Sequence, residues 1–366
     1  MSLGAQLRDA ALGAGCCALG ICSTERFETE IAALESRKAA GMHGRLGFTY
    51  RDPERAGDLR RSLPWARSLV VAAWPYLPEA GSPGNPSSGS GRIARFATED
   101  HYRGLRAALE HVAGLLRVAG FRSTVLSDDA RLIDRAAAVR AGVGWWGKSS
   151  MVLVPGSGPW VLLGSVATDA ELPVAESMKR DCGTCVACIP ACPTGAIVEP
   201  GVLDARLCLA HWLQAPGIIP RSLRRAVADR VYGCDDCLDV CPPGGRLLHI
   251  GGRERGRVDL LGILRAADDA LLTRFDHFYF PGRHPRYLRR NALVALGNTG
   301  GDSAAAVAAG FLGHPDWLLR AHAAWTVGVL AGSMSPPVLQ AARRRERDAR
   351  VVSEIDDSLA EVKGSR

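Results

Sequence analysis

The period of the hydrophobic pattern changes along the chain. From Tyr102 to Ala119 apolar residues recur at helical spacing (Leu105, Leu109, Val112, Leu116), which predicts a long amphipathic helix closed by Gly120. Ahead of it, Ser68-Leu69-Val70-Val71-Ala72-Ala73-Trp74 is a continuous apolar run suited to a strand buried on both faces. Between them, Gly81 through Gly91 is a Ser/Gly/Pro loop with little to pack. Beyond the helix, the pattern predicts a strand over Phe121–Leu126 and a helix over Ile133–Ala141 capped by Gly142. Met151–Val154 and Trp160–Val166 read as paired strands joined by the Pro155–Pro159 turn. Past residue 255 the pattern is purely helical and repeats itself. Leu288-Arg289-Arg290-Asn291-Ala292-Leu293-Val294-Ala295-Leu296-Gly297 corresponds to Leu319-Arg320-Ala321-His322-Ala323-Ala324-Trp325-Thr326-Val327-Gly328, each a helix ending in glycine. Stacked helices of this kind build short, HEAT-like α-solenoids. Arg343–Arg350 reads as the solvated face of a terminal helix.

These elements predict a multidomain α+β chain: an α/β domain over 1–172, a ferredoxin-like module over 173–252 and HEAT-like helices over 253–366. A length of 366 residues, 47% hydrophobic and 23% charged, fits a soluble protein of two or three domains. No apolar run is long enough for a bilayer. Arg8 and Asp9 interrupt the first helical pattern, so no export signal is expected there.

The cysteines carry the chemistry. Of eleven, eight fall between Cys182 and Cys241. The first run is Cys182-x2-Cys185-x2-Cys188-x3-Cys192-Pro193; the second is Cys234-x2-Cys237-x3-Cys241-Pro242, with Cys208 between them. In runs of this spacing three thiolates reach one cubane and the fourth ligates its neighbour. Two [4Fe-4S] clusters follow, one on Cys182, Cys185, Cys188 and Cys241, the other on Cys192, Cys208, Cys234 and Cys237. Structural zinc would use ligands in two pairs, and disulfides belong to secreted domains; both fit this spacing less well. Oxygen-sensitive clusters without an export signal place the chain in the cytoplasm. Cys16, Cys17 and Cys22 lie in an Ala/Gly/Leu-rich stretch and read as small buried apolar residues.

Gly142-Val143-Gly144-Trp145-Trp146-Gly147-Lys148-Ser149 fits both G-x-G-x-x-G and G-x4-G-K-[ST]. A phosphate cradle needs a strand before the loop and a helix after it. Here the order is reversed, so nucleotide hydrolysis is set aside, although a loop bearing Trp145 and Trp146 could hold a flat cofactor.

The double-cluster cysteines, the Ala141–Lys148 loop and the Leu288–Asn298 helix, in that order, resemble the epoxyqueuosine reductase family over nearly the whole chain. The resemblance implies a cobalamin-dependent reductase that converts epoxyqueuosine to queuosine at the tRNA wobble position. Electrons would pass through two clusters to cobalt. It implies cobalamin contacts from Arg51, Asp128, Lys148, Ser149, His211 and Trp212. It also implies Asp128 of Ser127-Asp128-Asp129 as the general acid, kept protonated by a poorly hydrated site. Two plainer readings stand beside these: Asp128 or Asp129 as the N-cap of the next helix, and His211 as a loop histidine beside a cluster rather than an axial ligand. The anticodon region of tRNA would meet Arg274, Arg283, Arg286, Arg289 and Arg290, a stretch holding one acid, Asp276; the plainer reading is a solvated basic face. Of Phe278, Tyr279 and Phe280, two are expected in the core and one free to stack on a base. A reducing partner such as ferredoxin or flavodoxin, no membrane and a monomeric chain complete the picture.

The sequence also departs from the family pattern. Arg131 and Asp134 replace a Pro and a Glu after the acid, and Asp100-His101-Tyr102 replaces Asp-Tyr-His. Ala210-His211-Trp212-Leu213 and Ala215 replace Ser-Tyr-Leu-Thr and a Glu. Pro243-Gly244 replaces Trp-Asn, and His43-Gly44-Arg45-Leu46 replaces His-Gly-Glu-Met. The cluster cysteines are untouched. A paralogue acting on another electrophile, or an electron carrier without its own catalysis, are the alternative readings.

Overall fold

The computed structural model describes residues 2–77, 89–248, 256–301 and 303–364. Residues 81–88 of the expected Gly81–Gly91 loop lie outside the described residues. The chain forms two compact units, each built from separated stretches. Unit one takes 1–81, 99–208 and 235–253; unit two takes 82–98, 209–234 and 254–366. The expected boundary at 172 falls inside unit one.

Unit one is organised by a four-stranded sheet in the order Ala18–Ser23, Ser68–Pro75, Val161–Thr168, Ser123–Leu126. Every pairing in it is antiparallel, whereas an α/β domain leads one to expect parallel strands. Leu69, Val70, Val71, Ala72 and Ala73 are fully buried, which explains a run without alternation. The His101–Val118 helix lies on the Val161–Thr168 strand and seals Leu105, Leu109, Val112 and Leu116. Its start is fixed by Asp100, whose carboxylate accepts the Arg103 N–H at 3.1 Å.

The expected pairing of Met151–Val154 with Trp160–Val166 is not formed. Val152–Leu153 pairs instead with Trp145–Trp146, and Val161–Thr168 enters the main sheet between two neighbours. A strand with Ser165, Val166, Ala167 and Thr168 all buried needs a central place, which a two-stranded hairpin cannot give. The glycine-rich run therefore follows the Asp134–Arg140 helix and forms the first strand and the turn of a small hairpin. Its glycines answer to packing rather than phosphate. Gly142 has φ +66, and a Cβ there would meet the Glu176 carbonyl at 2.5 Å; one on Gly144 would strike the Leu153 carbonyl. Farther on, the Cys188–Ala191 helix packs on the Asp236–Asp239 helix, joining the two cysteine runs.

Unit two contains a three-stranded sheet with Ser90–Ile93 in the middle, parallel to Arg230–Tyr232 and antiparallel to Arg257–Asp259. Its bulk is helical. Arg286–Thr299 packs on Trp317–Leu330, which packs in turn on Ala349–Gly364. The repeated glycines do not end their helices, which run on to Thr299 and Leu330. Gly297 is needed for contact, because a Cβ there would meet the Trp325 ring at 2.6 Å. The Arg343–Arg350 run is not one helical face. It spans the end of Ser335–Arg345, a turn and the start of Ala349–Gly364, with Glu346 in the turn holding Arg320 at 2.6 Å. Among the described residues no helix is long and apolar enough to cross a membrane.

Candidate active site and cysteine centre

Asp128 lies between the Ser123–Leu126 strand and the Asp134–Arg140 helix with φ 54, a left-handed backbone uncommon outside glycine. It does not cap the helix. The cap position is Ile133, with no side-chain cap bond, so the N-cap reading fails for Asp128 and Asp129 alike. Asp129 has a different task. Its carboxylate accepts the Arg131 backbone N–H at 2.9 Å and the Arg131 guanidinium at 2.5 Å, which lowers its pKa. Asp128 is left without such a partner on its own turn. It is exposed to solvent, yet its pKa is raised, first by burial and then by the Asp129 charge, against the pull of Arg106.

Residues 127–150 carry unmatched polar atoms. Ser127 Oγ, Asp134 Oδ1, Trp145 Nε1 and Ser150 Oγ are each sealed from solvent with no hydrogen-bond partner. Asp134 as a residue keeps some exposure, but burial first, then the charges of Asp128 and Asp129, hold its carboxyl well above the ordinary range. The Tyr102 hydroxyl is pushed up by burial, Asp128 and Asp134, and the Arg106 guanidinium lies 5.5 Å over its ring. Arg135 donates to the Ser150 carbonyl at 3.2 Å, tying the Gly147–Ser150 turn to the start of the helix beside Asp134. Buried polar groups are nearly always hydrogen-bonded, so these orphans fit a group that is not part of the chain. Ser127 precedes Asp128, Asp134 opens the next helix, and Ser150 meets that helix through Arg135, a tie that no spacing in the sequence signals.

The cysteine loops adjoin the same turn. The Lys148 N–H points at Cys182 Sγ over 3.5 Å, and the Lys148 ammonium donates to the Gly183 carbonyl at 2.7 Å. The Cys241 thiol is pushed up to about 11 by burial and then by Cys182, Cys188 and Cys185 together, so these four thiols share one neighbourhood. Cys192 Sγ accepts the Ala196 N–H at 3.2 Å, the kind of N–H···S bond that stabilises ligating thiolates. Cys192, Cys208 and Cys237 belong to unit one; Cys234 ends a stretch of unit two. Among the described residues no three His, Cys, Asp or Glu side chains are gathered as one metal ion would need. Cys16 and Cys22 are buried, their thiols pushed up to about 11 and about 12 by desolvation, in keeping with an apolar role.

Arg51 is exposed at the end of a short 3₁₀ turn, its carbonyl accepting from Lys38 at 3.0 Å. Ser149 is buried beside Lys148. His211 and Trp212 are buried on the Leu209–Gln214 helix of unit two, their rings edge-on at 5.5 Å.

The arginine cluster divides. Arg290 is completely buried and cannot meet phosphate as placed. Its guanidinium donates to the carbonyls of Trp212 (2.8 Å), Ala215 (2.8 Å) and Gly217 (2.6 Å), and Asn291 adds Leu213 and Val231 (2.7 and 2.9 Å). Trp212 and Leu213 are in the last turn of the Leu209–Gln214 helix, where carbonyls lack intrahelical partners; Val231 lies in the Arg230–Tyr232 strand. Arg289 is 8% exposed, paired with Asp268 and the Ala266 carbonyl. The expectation of phosphate contacts is corrected for both: charge in the sequence does not reveal which side of a helix faces inward. Arg286 bonds the Tyr287 hydroxyl (3.0 Å) and lies 3.5 Å from Asp316, on a cavity of about 620 Å³ shared with His284, His314 and Trp317. Arg274 and Arg283 are exposed. Phe278 and Phe280 fill the core while Tyr279 stays 53% exposed.

With this geometry in hand, comparison with known proteins is informative. Residues 181–244 match the family described as 4Fe-4S double cluster binding domain. The chain is 36% identical over 307 residues to the epoxyqueuosine reductase of Vibrio cholerae, covering 80% of this chain and 82% of that one. The enzyme of Bacillus cereus is 28% identical over 353 residues, covering 93% and 92%. Among solved structures, an epoxyqueuosine reductase bound to an epoxyqueuosine-modified tRNA stem loop superposes with TM-score 0.90 at 27% identity, over 99% of both chains. The chain belongs to the epoxyqueuosine reductase family and is an oxidoreductase.

Proposed function

We propose that this chain reduces epoxyqueuosine to queuosine at the tRNA wobble position, drawing electrons through two [4Fe-4S] clusters to cobalamin. The observation that carries the reading is one turn with two neighbours. Gly147–Ser150 meets Cys182 and Gly183 through Lys148 and the start of the Asp134 helix through Ser150. A thiol-rich electron entry and a protonatable carboxyl are thus held by the same few residues. The four orphaned polar atoms suit a corrin, whose rim carries many amides, and Ser127, Asp134, Trp145 and Ser150 would hold it. Bound cobalamin would supply a strongly reducing, nucleophilic metal centre able to open the epoxide C–O bond. Removing the oxygen as water takes two electrons and two protons. Asp128, whose pKa is raised by burial, would deliver one proton to the freed oxygen, and Asp134 has its pKa raised as well.

In this reading residues 1–172 form the corrin domain, 173–252 the ferredoxin-like module and 253–366 the HEAT-like helices. The tRNA anticodon region would meet exposed Arg274 and Arg283, with Tyr279 free to stack on a base. A ferredoxin or flavodoxin would supply electrons to a monomer in the cytoplasm. The decisive experiment is anaerobic purification and reconstitution, metal analysis, and turnover of an epoxyqueuosine-containing stem loop. About eight irons and one cobalt per chain, with queuosine formed, is expected. Bound cobalt without turnover would point to another electrophile, and iron without cobalt to an electron carrier.

A further inference from the structure

We propose that Lys148 positions and tunes the cluster held by Cys182, Cys185, Cys188 and Cys241, its ammonium clamping the cysteine loop and its charge raising that cluster's reduction potential. The inference rests on the cluster assignment above but goes beyond it, assigning to the electron path a lysine that the family resemblance assigned to cobalamin.

The residue is fixed at every polar atom. Its N–H is directed at Cys182 Sγ over 3.5 Å, its carbonyl accepts the Gly201 N–H at 2.9 Å, and its ammonium reaches the Gly183 carbonyl at 2.7 Å. The turn around it is closed by Gly147 N–H to the Met151 carbonyl (2.8 Å) and Ser150 N–H to the Gly147 carbonyl (3.0 Å). On the facing loop, Gly183 donates to Asp181 Oδ1 at 2.6 Å, so both peptide groups of that bend are held. The ammonium is thereby held on the Gly183 bend, which lies between Cys182 and Cys185. An electron accepted from a low-potential one-electron donor adds one negative charge to the cluster. A neighbouring ammonium stabilises that reduced form, as does an N–H···S bond. Asp181 opposes the effect in part, and the lysine end is open to water, so salt should weaken it.

The test uses full-length, cobalamin-free chain reconstituted with iron and sulfide, as Lys148→Gln, Lys148→Arg and unmodified protein. Each cluster's midpoint is read by EPR-monitored redox titration at low and high salt. In Lys148→Gln one cluster alone should shift negative, lowering its reduced-to-oxidised ratio about tenfold at fixed potential, roughly 59 mV for one electron. High salt should shrink the difference, and Lys148→Arg should restore the midpoint. Iron lost in Lys148→Gln but kept in Lys148→Arg supports the clamp. Unchanged midpoints in fully loaded Lys148→Gln, no restoration by Lys148→Arg, or iron lost from both variants overturns the proposal. Unmodified chain that takes up no iron overturns the cluster reading instead.

Discussion

The surroundings of Asp128 and those of Arg290 treat polar groups in opposite ways. Around Arg290 and Asn291 buried carbonyls find donors at 2.6–2.9 Å, and the result is a rigid clip on the helix that carries His211 and Trp212. Between Ser127 and Ser150, four buried polar atoms have no partner, and Asp128 has a left-handed backbone. Matched groups hold a shape; unmatched ones keep a surface ready for something else. Both regions are charged in the sequence, so charge alone does not separate scaffold from site.

Exchanging one group in each region sharpens that contrast. Asp128→Asn should lower kcat by about 10²- to 10⁴-fold with little change in melting temperature; turnover near the unmodified rate would remove Asp128 as the acid. Arg290→Ala should do the reverse of a site lesion. Leaving the Trp212, Ala215 and Gly217 carbonyls unmatched should cost about 3–5 kcal/mol, read as a lower urea midpoint, and a stable Arg290→Ala with weakened tRNA binding would restore it to the RNA surface. Gly297→Ala tests the matched region by volume. Overpacking against Trp325 of about 1–3 kcal/mol outweighs about 1 kcal/mol of helix propensity, so a modest net loss is expected.

Asp134 tests the unmatched region by pH. Its folded pKa is raised, so its contribution to stability is complete below the unfolded carboxylate pKa of about 3.9 and is lost as pH rises through the folded value. Asp134→Asn lacks that loss, and its melting temperature should gain on the unmodified chain as pH rises above about 4; parallel curves would contradict a raised Asp134. The smallest effect belongs to the surface. Arg274→Ala with Arg283→Ala should leave stability within about 0.5 kcal/mol while reducing the salt dependence of stem-loop binding, by about one per lost phosphate contact. An unchanged slope would place the RNA elsewhere.

The cysteines were legible because ligation fixes their spacing in sequence. The Ser68–Pro75 strand and His101–Val118 helix were legible because burial fixes their period. Other features depend on what lies across space. The partner of Val161–Thr168, the inward turn of Arg289 and Arg290, and the tie of Ser150 to the Asp134–Arg140 helix leave no period behind. Gly297 looked like a stop because glycine often ends helices; only the Trp325 ring opposite shows its other use. Asp128 came from resemblance and not from pattern, and its separation from Asp129 needed the Arg131 bond.

The interleaving of the two units also governs how the protein can be made. A chain emerging from the ribosome delivers the Ser90–Ile93 strand of unit two long before its neighbours Arg230–Tyr232 and Arg257–Asp259. Unit one waits in turn for 235–253, which brings Cys237 and Cys241. Neither unit is complete until most of the chain has been synthesised, and such distant pairings fold slowly. Metal loading then becomes a late event, and fragments cut at 172 or 208 would lack a piece of each unit rather than yield one intact.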